Sequence, residues 1–153
     1  VCSYRRRDRR AYFSPRTLGL MHEMSVAQGA AEAVLKGARR EGAVKIIRIN
    51  LEVGQLTFLN PEQVIFWLKE LFKNTEAEGA EIIHKIIPAM VRCSRCGYEG
   101  PLQVKDDPLF HQALPVFACP KCERGSLEIL EGRDCIVRDI EIETSPDGDC
   151  SCR

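Results

Sequence analysis

The sequence predicts an α+β fold: two helices packed on a small mixed sheet, with an inserted cysteine module. Three patterns predict it. Apolar residues recur at helical spacing over residues 24–41 and again from Pro61 towards Asn74. Residues 44–53 and 134–143 alternate apolar with polar, the period of a strand with one covered face. Between the last two strand signals lie two C-x-x-C pairs.

The elements follow in chain order. Val26, Ala27, Ala30, Ala31, Val34, Leu35 and Ala38 form the stripe of an amphipathic first helix. Lys36, Arg39 and Arg40 gather late in it, and Gly42 stops it. In the first strand Ile47, Ile49, Leu51 and Val53 alternate with Arg48, Asn50 and Glu52, and Gly54 to Leu59 reads as a turn region. Asn60 caps the second helix, Pro61 takes its first position, and Gln63 is placed to complete a capping box. Val64, Ile65, Leu68, Leu71 and Phe72 line its covered side, widened by Trp67. The isoleucines of residues 81–91, interrupted by Pro88, predict a strand near a sheet edge. A last strand returns through Ile136, Ile140 and Ile142. The cysteine module thus sits as a satellite between two strands.

A length of 153 residues allows one domain, or one with a small satellite. With 44% hydrophobic and 29% charged residues, the chain is not wholly disordered. It has no apolar run of about 18 residues, so no transmembrane helix is expected. Net charge is zero but uneven: residues 1–20 hold six arginines and one aspartate, which leaves the remainder at −5. An acidic body argues against a nucleic-acid binder, whose footprint is a basic face. Residues 1–20 lack the apolar core of a secretory signal, so a cytoplasmic chain in a reducing compartment is expected. In that compartment paired C-x-x-C motifs signify metal more often than disulfides.

Cys93-Ser-Arg-Cys96 and Cys119-Pro-Lys-Cys122 are separated by 22 residues. Each pair offers two thiolates from one tight turn, and two such turns make a tetrahedral four-sulfur site that suits Zn²⁺. The module is therefore zinc-ribbon-like. A complete thiolate set leaves no open position, so the site reads as structural; iron is the chemical rival. Gly97 follows the first pair, where positive φ is favoured. Glu123 holds the equivalent place, so the second turn is expected to be less regular. Tyr98, Phe110 and Phe117 are the module's candidate apolar contacts. Cys135 falls in a strand and reads as packing, Cys150 and Cys152 fall in a tail, and His84 and His111 read as solvated.

Met21-His22-Glu23 stands immediately before the first helix. If Met21 begins the chain, its amine, the following backbone nitrogens and the His22 imidazole can wrap Ni²⁺ or Cu²⁺ in a plane. Glu23 can orient the imidazole or bind the ion directly. A capping or surface role for His22 is the plainer alternative.

Together, Met21-His22-Glu23-Met24-Ser25, Leu51-Glu52-Val53-Gly54-Gln55-Leu56, Glu78-Gly79-Ala80-Glu81, the two C-x-x-C pairs and Gly132-Arg133 closely resemble the HypA/HybF family of nickel-insertion metallochaperones. The resemblance covers residues 21–143. It implies no catalytic turnover but delivery of Ni²⁺ to the large-subunit precursor of a NiFe hydrogenase, with a maturation GTPase as partner. It implies nickel at Met21, His22 and Glu23, and zinc at Cys93, Cys96, Cys119 and Cys122. The long spacer resembles archaeal members, and Cys150-Ser-Cys152 departs from the family pattern. The expected organisation is a nickel-binding α/β domain over 21–91 plus 127–143, a zinc module over 92–126 and a disordered tail over 144–153. Residues 1–20 are read as a disordered basic extension ahead of a native start at Met21, because a preceding peptide bond removes the free amine. The protein is expected to be a monomer or homodimer, with no nucleic-acid or membrane partner. A zinc-ribbon adaptor for nucleic acid or protein is the rival function.

Overall fold

The computed structural model describes residues 23–102, 117–124 and 126–145. Met21, His22, Phe110, His111, Cys150 and Cys152 lie outside these described residues, as do residues 1–20 and residues 146–153 of the tail expected over 144–153; Thr144, the first residue of that tail, ends the last strand. The described chain is α+β, with two helices packed on mixed sheets and a four-cysteine, zinc-ribbon-like insertion. It divides into two compact units.

Among the described residues, the first unit holds 23–52, 59–85 and 135–145. Helix α1 (Glu23–Arg40) buries Val26, Ala27, Ala30, Ala31, Val34 and Ala38. The small alanines let it pack closely on α2 (Pro61–Leu71) and on the last strand. Asn60 caps α2 through Oδ1, which accepts from the Glu62 and Gln63 N–H groups at 3.0 and 3.4 Å. The expected capping box is incomplete: the Asn60 N–H donates to the Glu23 carboxylate at 3.5 Å rather than to Gln63. Helix α2 stops at Leu71, three residues short of the expected end, because Asn74 turns to φ 59°.

Strands β1 (Ala43–Gly54), β2 (Glu81–Ile87) and β6 (Cys135–Thr144) form a sheet in the order β2-β1-β6. Ile46, Ile49 and Leu51 of β1 are fully buried, as are Val64 and Leu68 of α2 and Phe72 at its C-terminal cap. On the opposite face Arg48 bridges Glu81 at 2.7 Å and Glu141 at 3.2 Å, Asn50 donates to Asp139, and Arg138 meets Glu52. Partners descend along β6 as they ascend along β1, as antiparallel neighbours do. Cys135 is buried, and burial pushes its thiol up to about 11. His84 is solvated, as its strand position predicts.

Among the described residues, the second unit comprises 53–58, 86–102, 117–124 and 126–134. Here the structure departs from a single sheet. The run over 81–91 breaks at Pro88-Ala89, and β3 (Met90–Cys93) starts a second sheet, ordered β4-β3-β5, with β4 (Glu99–Pro101) and β5 (Leu127–Glu131). Both pairings are antiparallel. Ala89, Val91 and Leu102 are the core, covered by Leu56, Tyr98, Phe117, Leu127 and Ile129. The turn after β1 becomes a short 3-10 helix over Gln55–Thr57 that is stitched into this unit. Gly54 N–H donates to Asp134 O, Leu56 N–H to Gly132 O, and Ala89 N–H to the Gln55 side chain. A Cβ on Gly54 would strike the Gly132 carbonyl oxygen and lie 2.9 Å from the Arg133 nitrogen, so only glycine fits.

Candidate metal centre

Each C-x-x-C pair sits at the exit of a short strand or turn that bends sharply. Cys93 ends β3, and the Gly97 N–H returns to the Cys93 carbonyl at 3.1 Å with Gly97 at φ 69°. The second turn repeats this geometry. The Glu123 N–H returns to the Cys119 carbonyl at 2.9 Å, and Glu123 takes φ 54°. The expected irregularity is therefore absent. The backbone hydrogen bond imposes the left-handed conformation, and the glutamate accepts it at a strain cost of about 1–2 kcal/mol.

The four sulfurs converge, each within 4.8 Å of the others. Cys93 and Cys122 lie 3.8 Å apart, and Cys96 and Cys119 lie 3.6 Å apart. A tetrahedral ion with bonds of about 2.3 Å sets its sulfurs about 3.8 Å apart, so the donor set fits Zn²⁺. Cys93 and Cys119 are buried, whereas Cys96 and Cys122 are half-buried. The four thiols make the only group of three or more possible metal ligands among the described residues.

The thiols differ in acidity, because the surrounding backbone N–H groups point unequally. The Cys96 and Arg95 N–H groups lower Cys93 from 9.0 to about 6. Burial opposes ionisation of Cys119, but the N–H groups of Cys122 and Lys121 outweigh it and hold that thiol below its ordinary value. The Tyr98 N–H favours ionised Cys96, yet desolvation and the three neighbouring thiols together push it up to about 11. A divalent cation supplies the missing positive charge, so its binding expels protons from the cluster.

Two supports carry no signal in the cysteine spacing. Ser94 and Ser126 clasp the strand ends, Oγ to Oγ at 2.9 Å, while the Ser94 N–H donates to Ser126 O at 3.1 Å. The Arg124 carbonyl accepts from the Cys122 and Cys93 thiols. The matched serines, each one residue outside a strand end, are recognisable only once β3 and β5 are paired.

Of the Met21-His22-Glu23 segment, the described residues include only Glu23, the first residue of α1. Its half-buried side chain lies beside the α2 cap, where it accepts the Asn60 N–H.

Comparison with known proteins brings the observations together. The family profile described as "Hydrogenase/urease nickel incorporation, metallochaperone, hypA" matches residues 21–142. The hydrogenase maturation factor HypA of Methanothermobacter thermautotrophicus is 40% identical over 123 residues, covering 80% of this chain and 98% of that protein. The one from Methanobrevibacter smithii is 40% identical over 129 residues, covering 84% and 100%. The solution structure of the Ni metallochaperone HypA from Helicobacter pylori shares the fold, with a TM-score of 0.59 at 17% identity over 82% of this chain and all of that one. The chain belongs to the HypA/HybF family of hydrogenase maturation metallochaperones, which are not catalytic enzymes.

Proposed function

We propose that this protein carries Ni²⁺ as cargo to the large-subunit precursor of a NiFe hydrogenase in the cytoplasm, alongside a maturation GTPase. The observation that carries this reading is the family match over residues 21–142, which opens on Met21-His22-Glu23 and takes in all four cysteines. Met21 and His22 supply nitrogen donors, with Glu23 as the adjoining carboxylate. The planar set suits Ni²⁺, and copper outranks nickel in intrinsic affinity, so selectivity comes from metal supply and partner docking. Every donor must lose its proton, so nickel affinity falls with pH. Cys93, Cys96, Cys119 and Cys122 hold zinc in a closed site that braces the second unit and hands nothing on. The domain reading stands with this proposal: an α/β part over 21–91 plus 127–143 for nickel, and residues 92–126 for zinc. Residues 1–20 play no part in it.

Nickel titration calorimetry on a chain starting at Met21 tests the reading. His22→Ala should greatly weaken nickel binding while one zinc stays bound per chain by metal analysis. Unchanged nickel affinity would remove His22 from the site. One iron and no zinc in protein from its native host would overturn the zinc assignment.

A further inference from the structure

Strands β3 and β5 run antiparallel with Arg92 opposite Glu128 and Cys93 opposite Leu127. One step further in the same register, Ser94 stands opposite Ser126. Both are exposed and lie just past the strand ends, yet three hydrogen bonds join them. The Ser94 N–H donates to the Ser126 carbonyl at 3.1 Å, and the Ser94 hydroxyl donates to the same oxygen at 3.2 Å. A hydroxyl has a single proton to donate. Ser94 Oγ commits its own to the carbonyl, so Ser126 is the donor in the 2.9 Å contact between the two hydroxyls. The result is a directed chain from Ser126 Oγ to Ser94 Oγ to Ser126 O, with Ser94 as its central member.

This chain closes one side of the metal centre. Ser94 lies inside the first C-x-x-C turn, next to Cys93. Ser126 lies four residues after Cys122. Between them, the Arg124 carbonyl faces the Cys93 and Cys122 sulfurs at 3.8 and 2.6 Å. A metal ion takes the thiol protons, so those two sulfur bonds belong to the metal-free site. Serine hydroxyls keep their protons, so the clasp persists when metal is bound. We propose that Ser94 and Ser126 are a latch on the metal centre, which ties the chain leaving the second C-x-x-C turn to the first turn and so slows release of the bound ion. Cys122 leaves the ion only by moving the short segment that ends at residue 126, and the latch resists that movement. Neither serine is a ligand; Ser94 is a positioning residue that acts through the backbone on either side of it. The proposal rests on the reading of the four cysteines as a zinc site. It adds a kinetic role: the site keeps its ion while cargo passes elsewhere on the chain.

The test is the rate at which the full chain, loaded with one zinc, gives it up to a chromogenic chelator, extrapolated to zero chelator. Ser94→Ala removes both side-chain bonds and should speed release about three- to tenfold. Ser126→Ala removes only the bond between the hydroxyls and should speed it about two- to threefold. The double variant should release zinc no faster than Ser94→Ala, because the Ser126 hydroxyl acts only through Ser94. Ser94→Thr keeps the hydroxyl and should restore the wild-type rate. Cobalt-loaded forms of all these proteins should share one set of thiolate-to-metal charge-transfer bands, which separates a latch from a lost ligand. If circular dichroism shows that Ser94→Ala does not fold, Ser126→Ala and Ser126→Thr decide by the same rates. Release from Ser94→Ala at the wild-type rate overturns the latch and leaves the zinc reading in place. So does a Ser94→Thr protein as fast as Ser94→Ala, a double variant whose effects multiply, or altered cobalt bands in Ser94→Ala. A wild type that takes up no zinc overturns the zinc reading itself, and the latch with it.

Discussion

Exchanging the residues after the two C-x-x-C pairs separates backbone strain from side-chain chemistry at the metal centre. Glu123 and Gly97 share one turn geometry, at φ 54° and 69°. Holding an L-residue left-handed costs about 1–2 kcal/mol, and Glu123→Gly removes that cost. The added glycine also loosens the unfolded chain, which returns about 0.4–1 kcal/mol. The net gain is about 0.5–1 kcal/mol. Gly97→Ala is the mirror experiment. No atom lies within 4 Å of the added Cβ, so the loss is conformational and about equal in size. Because metal binding and local folding are one equilibrium, these energies appear as affinity. Competition for zinc against a chromogenic chelator should show Glu123→Gly binding roughly two- to fivefold tighter and Gly97→Ala weaker by the same factor. Glu123→Ala removes the carboxylate but keeps the strain, and should match the wild type. If Glu123→Gly bound no more tightly than Glu123→Ala, or Gly97→Ala cost nothing, the strain argument would be refuted.

Gly54→Ala should destabilise the protein by about 3 kcal/mol in urea unfolding, since the Cβ meets the rigid Gly132 backbone rather than a movable side chain. Asn60→Ala strips the α2 cap and should lower stability by about 1 kcal/mol, whereas Asn60→Asp keeps the acceptor and should cost little. The lowered Cys93 value makes the metal-free fold most favoured by that thiolate above pH 9. The contribution declines as pH falls and disappears below about 6, which denaturation across that range would follow.

Local chemistry carries much of the reading. Alanine and valine spacing places α1, Asn60-Pro61 starts α2, and alternation around Ile49 places β1, because each signal concerns residues one or two turns apart. The cysteine pairs are legible for the same reason: a C-x-x-C turn needs only four consecutive residues. What escapes is whatever depends on distant segments. Three-residue β4 and five-residue β5 are too short to show a period, and they exist as strands because β3 lies between them. Gly54-Gln55-Leu56 reads as a bare turn, yet its backbone and the Gln55 amide are held by residues 89, 132 and 134.

The sequence by itself determined the two helices, the strands β1, β2 and β6, and the thiolate donor set, because these follow from neighbours in the chain. The tertiary structure alone decided that the strands form two sheets, that four sulfurs meet at metal-binding distances and that β2 stands at an edge. Each of those depends on pairing between residues far apart in sequence, and the energy of such pairing is not contained in any local pattern.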